Sequence, residues 1–323
     1  VSRWTLPDGR RVERLSLGGG GLTAHLLTLG ATVQDLRLEG VDHPLVLGCP
    51  DPADYLDRGL YMGAIVGRFA NRIGGAGFAL DGQEYRSDPN FRGRHTLHGG
   101  SHGTHWHLWT VEDAGEDSAA LSLTLPDGEM GFPGTLSIRA DIALRDQALV
   151  FALSAWTDAP TPCNLAHHGY FNLDGSDDVR SHRLHIAANR YLPVDDDLIP
   201  LPGLAPVDGT RFDFRQARAL APGGYDHNLC LSDGPVASRI VAELTGQSGI
   251  SMRIETDQPG LQVYDGAHFR GLPGLDGRRY GPFAGVALET QGWPDAPNRP
   301  HYPDSILRPG RTWRRRTAYR FGR

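Results

Sequence analysis

The run LSIRADIALR, residues 136–145, decides the fold class. Its apolar side chains Leu136, Ile138, Ala140, Ile142 and Leu144 occupy every second position, with Ser137, Arg139, Asp141 and Ala143 between them. A period of two sends the two sets to opposite faces of an extended chain, whereas a helix needs an apolar stripe at spacings of three and four. The same alternation recurs at Leu121, Leu123 and Leu125 and at Ile250, Met252 and Ile254. Hardly any segment carries the helical spacing; DFRQARALA, residues 213–221, is the best candidate for a short helix.

Turn chemistry agrees with the strands. Asp-Gly occurs eight times, at 8–9, 81–82, 127–128, 174–175, 208–209, 233–234, 265–266 and 276–277, and between alternating apolar residues it marks tight hairpins. The expected fold is all-β, a large antiparallel β-sandwich with few short helices. A length of 323 residues is compatible with two domains, but large sandwiches often form one. The proline-rich stretch 192–209 carries apolar residues between its prolines, which suits a packed surface loop better than a linker. Residues 1–323 are therefore read as one domain.

Composition narrows the function. The formal charge of −6 provides no basic field to attract nucleic acid. Lys is absent throughout, which excludes Schiff-base chemistry and a P-loop lysine. Cys49, Cys163 and Cys230 are odd in number and far apart, so a reducing, cytoplasmic setting is expected rather than a disulfide framework or a cysteine zinc site. No stretch is apolar enough to cross a membrane as a helix. The first residues, VSRWTLPDGRR, lack a signal-peptide core, although a start at Val leaves a trimmed leader open.

Alternation also sorts the candidate chemistry. In NLAHHGYFNL, residues 164–173, Leu165, His167, Gly169, Phe171 and Leu173 share an apolar face, and Asn164, Ala166, His168, Tyr170 and Asn172 share a polar one. Adjacent histidines on a strand point apart, so His167 and His168 do not readily ligate one metal. His168 is the functional candidate; His167 is expected in the core with one hydrogen-bond partner. In GVALETQ, residues 285–291, Glu289 stands beside Gly285 and Ala287, which leave room for a ligand. Gln262 and Tyr264 share a face in PGLQVYDG, and GRFANRI offers Asn71 and Arg72, whose fork suits vicinal hydroxyls or anions. Histidines 95, 98, 102, 105 and 107 crowd RHTLHGGSHGTHWH without the spacing of a known zinc site. His98 precedes Gly99-Gly100, where backbone can approach a ligand closely. Asp226 and His227 follow a glycine pair as a loop-borne polar site, and RTWRRRTAYRFGR at the C-terminus reads as a final strand with a solvated arginine edge.

In wording and order these motifs resemble the aldose 1-epimerases (galactose mutarotases). The matches are GATVQDL at 30–36, GRFANRI at 67–73, LHGG at 97–100, NLAHHGYFNL at 164–173, LIPLPGLAPVDGTRFDFR at 198–215, YDHNLC at 225–230, PGLQVYDG at 259–266 and LETQGWPDAPN at 288–298. The resemblance implies a large β-sandwich that interconverts the α and β anomers of free aldoses such as glucose and galactose, without metal or other cofactor. It places the proton acceptor on Glu289, the proton donor on His168, and sugar-binding side chains on Asn71, Arg72, His98, Asp226 and Gln262. His167 departs from the pattern, since relatives often carry Asn there. Expected partners are a small-molecule aldose, with no nucleic acid or membrane, in a monomer or homodimer. By this reading Glu289 starts ionised and His168 protonated, its pKa held up by carboxylates such as Asp226. The rival readings are a glycosidase-related or lectin-like sandwich, and a hexose-phosphate 1-epimerase served by Arg68 and Arg72.

Overall fold

The computed structural model describes residues 2–220 and 222–323. LSIRADIALR forms the strand Leu136–Arg145, whose residues alternate between buried and partly exposed along its length. It pairs antiparallel with Ala148–Thr157 from Arg145↔Ala148 to Leu136↔Thr157. Asp146 and Gln147 close this hairpin, both with positive φ, 51° and 57°, the two-residue turn whose twist matches the strands. The hairpin lies within a nine-stranded sheet. Its order is Thr110–Ala114, Ser118–Leu125, Leu136–Arg145, Ala148–Thr157, Trp313–Gly322, Ser251–Thr256, Arg239–Thr245, Arg183–Ile186 and Arg218–Ala219.

A six-stranded sheet faces it, in the order Tyr170–Phe171, Val286–Gln291, Gly260–Tyr264, Asp226–Cys230, Arg190–Tyr191 and Ala205–Pro206. A four-stranded sheet from residues 2–38 packs against one end. The inner faces meet in one core, where Ile138, Phe151 and Tyr319 join Phe171, Leu261, Val263, Val286 and Leu288. This is an all-β antiparallel sandwich; among the described residues the only helices are 3-10 turns of three to five residues.

Several local expectations are corrected. Residues 213–220 form no helix; Arg218–Ala219 joins the nine-stranded sheet instead, and Ala221 lies outside the described residues. The segment's apolar side chains Phe214 and Leu220 are used by the sandwich core, so tertiary packing overrides helical propensity. The C-terminal strand is not an edge: it pairs with Ala148–Thr157 on one side and Ser251–Thr256 on the other. Arg314 and Arg320 are exposed because one face of the sheet is solvated, whereas Arg315 points to the other face and is partly buried. Asp226 begins a strand rather than sitting in a loop. Of the Asp-Gly pairs, 8–9, 81–82 and 276–277 close paired strands, and the others occupy looser turns. The 192–209 stretch is a packed loop, interrupted by the edge strand Ala205–Pro206, with Leu192, Ile199 and Val207 buried.

Candidate active site

The outer face of the six-stranded sheet carries the polar residues. Register sets them in rows: Asn228, Gln262 and Glu289 lie side by side across three strands, and Asp226, Tyr264, Ala287 and Tyr170 form the next row. NLAHHGYFNL is not one continuous strand. Ala166–His167 pairs with Ile65–Val66, and Tyr170–Phe171 pairs with Val286–Gln291. Continuing the Tyr170↔Ala287 register by two residues brings His168 level with Glu289, and its Nε2 lies 3.5 Å from Glu289 Oε1.

Loops roof these rows into a cleft of about 580 Å³, lined among others by Asn71, Arg72, His98, His168, Asp226 and Glu289. Arg72 Nη2 donates to Asp226 Oδ2 at 2.9 Å, and its guanidinium sits 4.6 Å over the Phe91 ring. Asn71 and Arg72 are buried rather than solvated loop residues. Asn71 adopts φ 65°, and its Oδ1 accepts the Arg72 backbone N–H at 2.9 Å. Gln262 does not line the cleft. Its Nε2 donates to Asp226 Oδ1 at 2.5 Å from beneath, so it braces that carboxylate.

His98 and Asn71 bond reciprocally: His98 N–H donates to the Asn71 carbonyl at 3.0 Å, and Asn71 N–H donates to His98 Nδ1 at 3.1 Å. Gly99 is required for a backbone approach, not a ligand approach: a Cβ there would sit 2.1 Å from the Gly67 carbonyl oxygen. The ligand atoms of His98, His168 and Glu289 all lie within 4.8 Å of one another, a spacing that could hold a metal ion. The Asn71 bond argues for another use. With Nδ1 accepting, the neutral His98 ring carries its proton on Nε2, a donor suited to a hydroxyl oxygen rather than a lone pair suited to a metal. The other histidines of the tract disperse: His95 to Asp197, His102 onto Trp106, His105 against Tyr61 and His107 to Glu129.

Burial acts against the expected resting charges. Burial is the largest influence on His168 and brings it down to about 4, despite an upward pull from Asp226. Burial likewise pushes Glu289 well above the usual carboxylate range, Asp226 adds to the rise, and Arg72 opposes it. A dry pocket disfavours the separated charges. Both shifts favour the uncharged forms of His168 and Glu289 over the expected ion pair.

His167 faces the core as expected, stacked on Phe151 at 4.4 Å and edge-on to Tyr319 at 5.6 Å. The expected hydrogen-bond partner is not there: neither ring nitrogen has one. Arg68, counted toward an arginine cluster, turns away from the cleft to the carbonyls of Pro126, Pro133 and Gly134 and to Thr161 Oγ1. The support it lent to a phosphosugar reading falls with it. Sequence reasoning missed Tyr61, Phe91, Leu198 and His268, which also line the cleft. None stands in a pattern that spacing could have singled out.

Fold and cleft together define an all-β enzyme with a buried imidazole–carboxylate pair and a ring of polar side chains. The family model for aldose 1-epimerase matches residues 13–320. The chain is 38% identical over 330 residues to the galactose mutarotase of Rattus norvegicus, covering 98% of this chain and 96% of that one. It is 35% identical over 335 residues to the aldose 1-epimerase of Escherichia coli K12, with the same coverage. In three dimensions it resembles a GalM/aldose epimerase homologue from C. elegans (TM-score 0.90, 30% identity, 96% and 99% of the two chains). It also resembles a galactose 1-epimerase from Lactobacillus acidophilus NCFM (TM-score 0.86, 26% identity, 99% and 97%). The chain belongs to the aldose 1-epimerase family, and it is an isomerase that acts on a small-molecule sugar.

Proposed function

We propose that this enzyme interconverts the anomers of free aldohexoses such as galactose and glucose, with Glu289 and His168 as its acid–base pair. Ring opening requires a base at the C1 hydroxyl and an acid at the ring oxygen O5. Glu289 takes the C1 hydroxyl proton while His168 protonates O5; the C1–O5 bond breaks and C1 becomes a carbonyl. After rotation about C1–C2 the same groups reverse their roles, and the ring closes on the other face. The pair holds one proton before and after opening, on His168 first and on Glu289 afterwards. Burial favours the uncharged pair, and the uncharged pair is the arrangement that accompanies the open sugar. Binding the closed ring must shift the proton to His168; Asp226 favours the charged imidazolium and Arg72 the charged carboxylate, while each opposes the charge on the other partner.

Each general acid–base contribution is worth about 3–5 kcal/mol of barrier. Arg72, Asn71, His98 and Asp226 hold the sugar hydroxyls, and Gln262 acts through Asp226. The reading takes residues 1–323 as one domain, supported by a core cluster that draws on residues from Leu15 to Phe321. Three buried, unpaired thiols favour a reducing, cytoplasmic setting, and the enzyme is taken as a monomer or homodimer. The observation that carries the mechanism is the 3.5 Å approach of His168 Nε2 to Glu289 Oε1 inside the cleft. Polarimetry of fresh α-D-galactose and α-D-glucose tests it. The expected result is faster relaxation to the anomeric equilibrium; binding without acceleration would overturn the reading.

A further inference from the structure

Five non-glycine residues lining the cleft hold left-handed backbone conformations that L side chains rarely adopt: Tyr61 at φ 70°, Asn71 at 65°, Leu198 at 63°, Arg92 at 53° and His98 at 51°. Asn71 and His98 are explained by the hydrogen bonds they exchange. Tyr61 carries a bulky aromatic side chain at the largest positive φ of the five, so its conformation calls for a local reason. That reason lies in what its ring touches. The Tyr61 centroid is 4.7 Å from His98, 4.5 Å from His105 and 6.1 Å from His168, and His98 lies edge-on to His168 at 5.1 Å. Tyr61, His98 and His168 close a triangle of rings, with the buried His105 behind.

Both ends of Tyr61 are tied to the same two histidines. Its Oη accepts from Asn90 Nδ2 at 3.3 Å, and Asn90 also bonds the backbone N–H and carbonyl of Leu97, the residue before His98. Its carbonyl accepts Ala64 N–H at 3.0 Å; His168 N–H donates to the Ala64 carbonyl at 2.8 Å, and Gly63 N–H to the His168 carbonyl at 2.8 Å. The backbone near Tyr61 therefore follows His168, while its phenol end follows His98.

We infer that Tyr61 is a positioning residue for the epimerase reaction, a wedge that keeps the hydroxyl-binding ring of His98 and the proton-donating ring of His168 at a set separation. The inference rests on the reading of His168 as proton donor. With the wedge in place, one sugar meets its anchor and its acid together, which is how orientation lowers a barrier. Tyr61 also covers one side of His168 against water, and burial is the largest cause of that ring's lowered pKa. The other titratable or charged groups facing His168 are Glu289, Asp226, Arg72, His268, His98, His105, His167 and Tyr170, and replacing Tyr61 keeps every one of these side chains in the chain.

The test compares Tyr61→Phe, Tyr61→Leu and His168→Asn in the full chain, by polarimetric kcat and KM on fresh α-D-galactose and by the pH profile of kcat/KM. Tyr61→Phe keeps the ring and should stay within about threefold of wild type. Tyr61→Leu should lose about ten- to a hundredfold in kcat with less than about a fivefold change in KM. Its acid limb should move to higher pH, because His168 regains water. A folded Tyr61→Leu with kcat within threefold and an unmoved limb overturns the inference, since a ring that only packs would change stability alone. Should Tyr61→Leu not fold, Tyr61→Met carries the same expectations with a more adaptable side chain. His168→Asn separates the two failures. If it keeps near wild-type turnover, the proton-donor reading falls and this inference with it; if it is crippled while Tyr61→Leu is not, only the inference falls.

Discussion

At the scale of single residues, the two neighbouring histidines show how burial can serve opposite ends. His168 sits in a cleft beside a carboxylate, while His167 sits among Phe151, Phe171 and Tyr319. Glu289→Gln and His168→Asn should each lower kcat by at least about a hundredfold with smaller effects on KM, measured by polarimetry. The kcat/KM profile should be bell-shaped, because the pair works only while it holds one proton. Below about pH 4 His168 takes a second proton, and above the raised pKa of Glu289 the proton is lost. An acid limb at the ordinary histidine value would mean that the cleft is wet. His167 gives a stability prediction instead. Burial lowers its folded pKa to about 3, against about 6.5 unfolded. As pH falls, the unfolded chain is protonated first, so this contribution is complete above about 6.5 and shrinks toward 3, by up to about 1.4 kcal/mol per unit. His167→Asn should leave turnover within a few-fold and flatten this acid-side loss in denaturant titrations. A strong loss of activity would show that His167 does more than pack.

At the scale of elements, the hairpin that opened the reading offers a clean test. Asp146-Gln147 occupies a turn with two positive φ angles, which Asn-Gly fits better. Replacing both should raise stability by about 0.5–1 kcal/mol, or about 1–2 °C in a chain of this size, with activity unchanged; an unchanged or lower Tm would show that Gln147 makes a contribution beyond the turn. Alternation was legible here because each face of the strand meets one environment. It was less reliable in NLAHHGYFNL, where the chain leaves one partner strand and joins another between His167 and Tyr170. The sides of the two histidines came out as read, but the continuous strand did not. The helix expected at 213–221 failed for a related reason: a short apolar pattern carries no record of whether a sheet edge waits to receive it.

At the scale of the molecule, Arg68 joins the site loop to the rest. Its guanidinium is buried and meets three carbonyls and Thr161 without a carboxylate partner in contact. Those acceptors come from residues 126–134 and 161, so this one side chain fastens the loop before Asn71 and Arg72 to the turn leading into Leu136–Arg145. Arg68→Ala should cost about 3–5 kcal/mol in urea unfolding, since it leaves several buried carbonyls unpaired, and should raise KM as Asn71 and Arg72 lose their support. A loss under 1 kcal/mol would mean that the loop stands without it.

The sequence by itself determined the all-β class, the sides taken by His167 and His168, and, through motif resemblance, the family. These follow from strand periodicity and residue identity, which are local properties of the chain. Only the tertiary structure decided that Gln262 braces Asp226 rather than lining the cleft, that Arg68 faces away, that the Tyr61 ring packs against His98, His105 and His168, and that burial weighs against charge on both His168 and Glu289. Those outcomes depend on register between distant strands and on exclusion of water, and both arise only when segments far apart in sequence pack together.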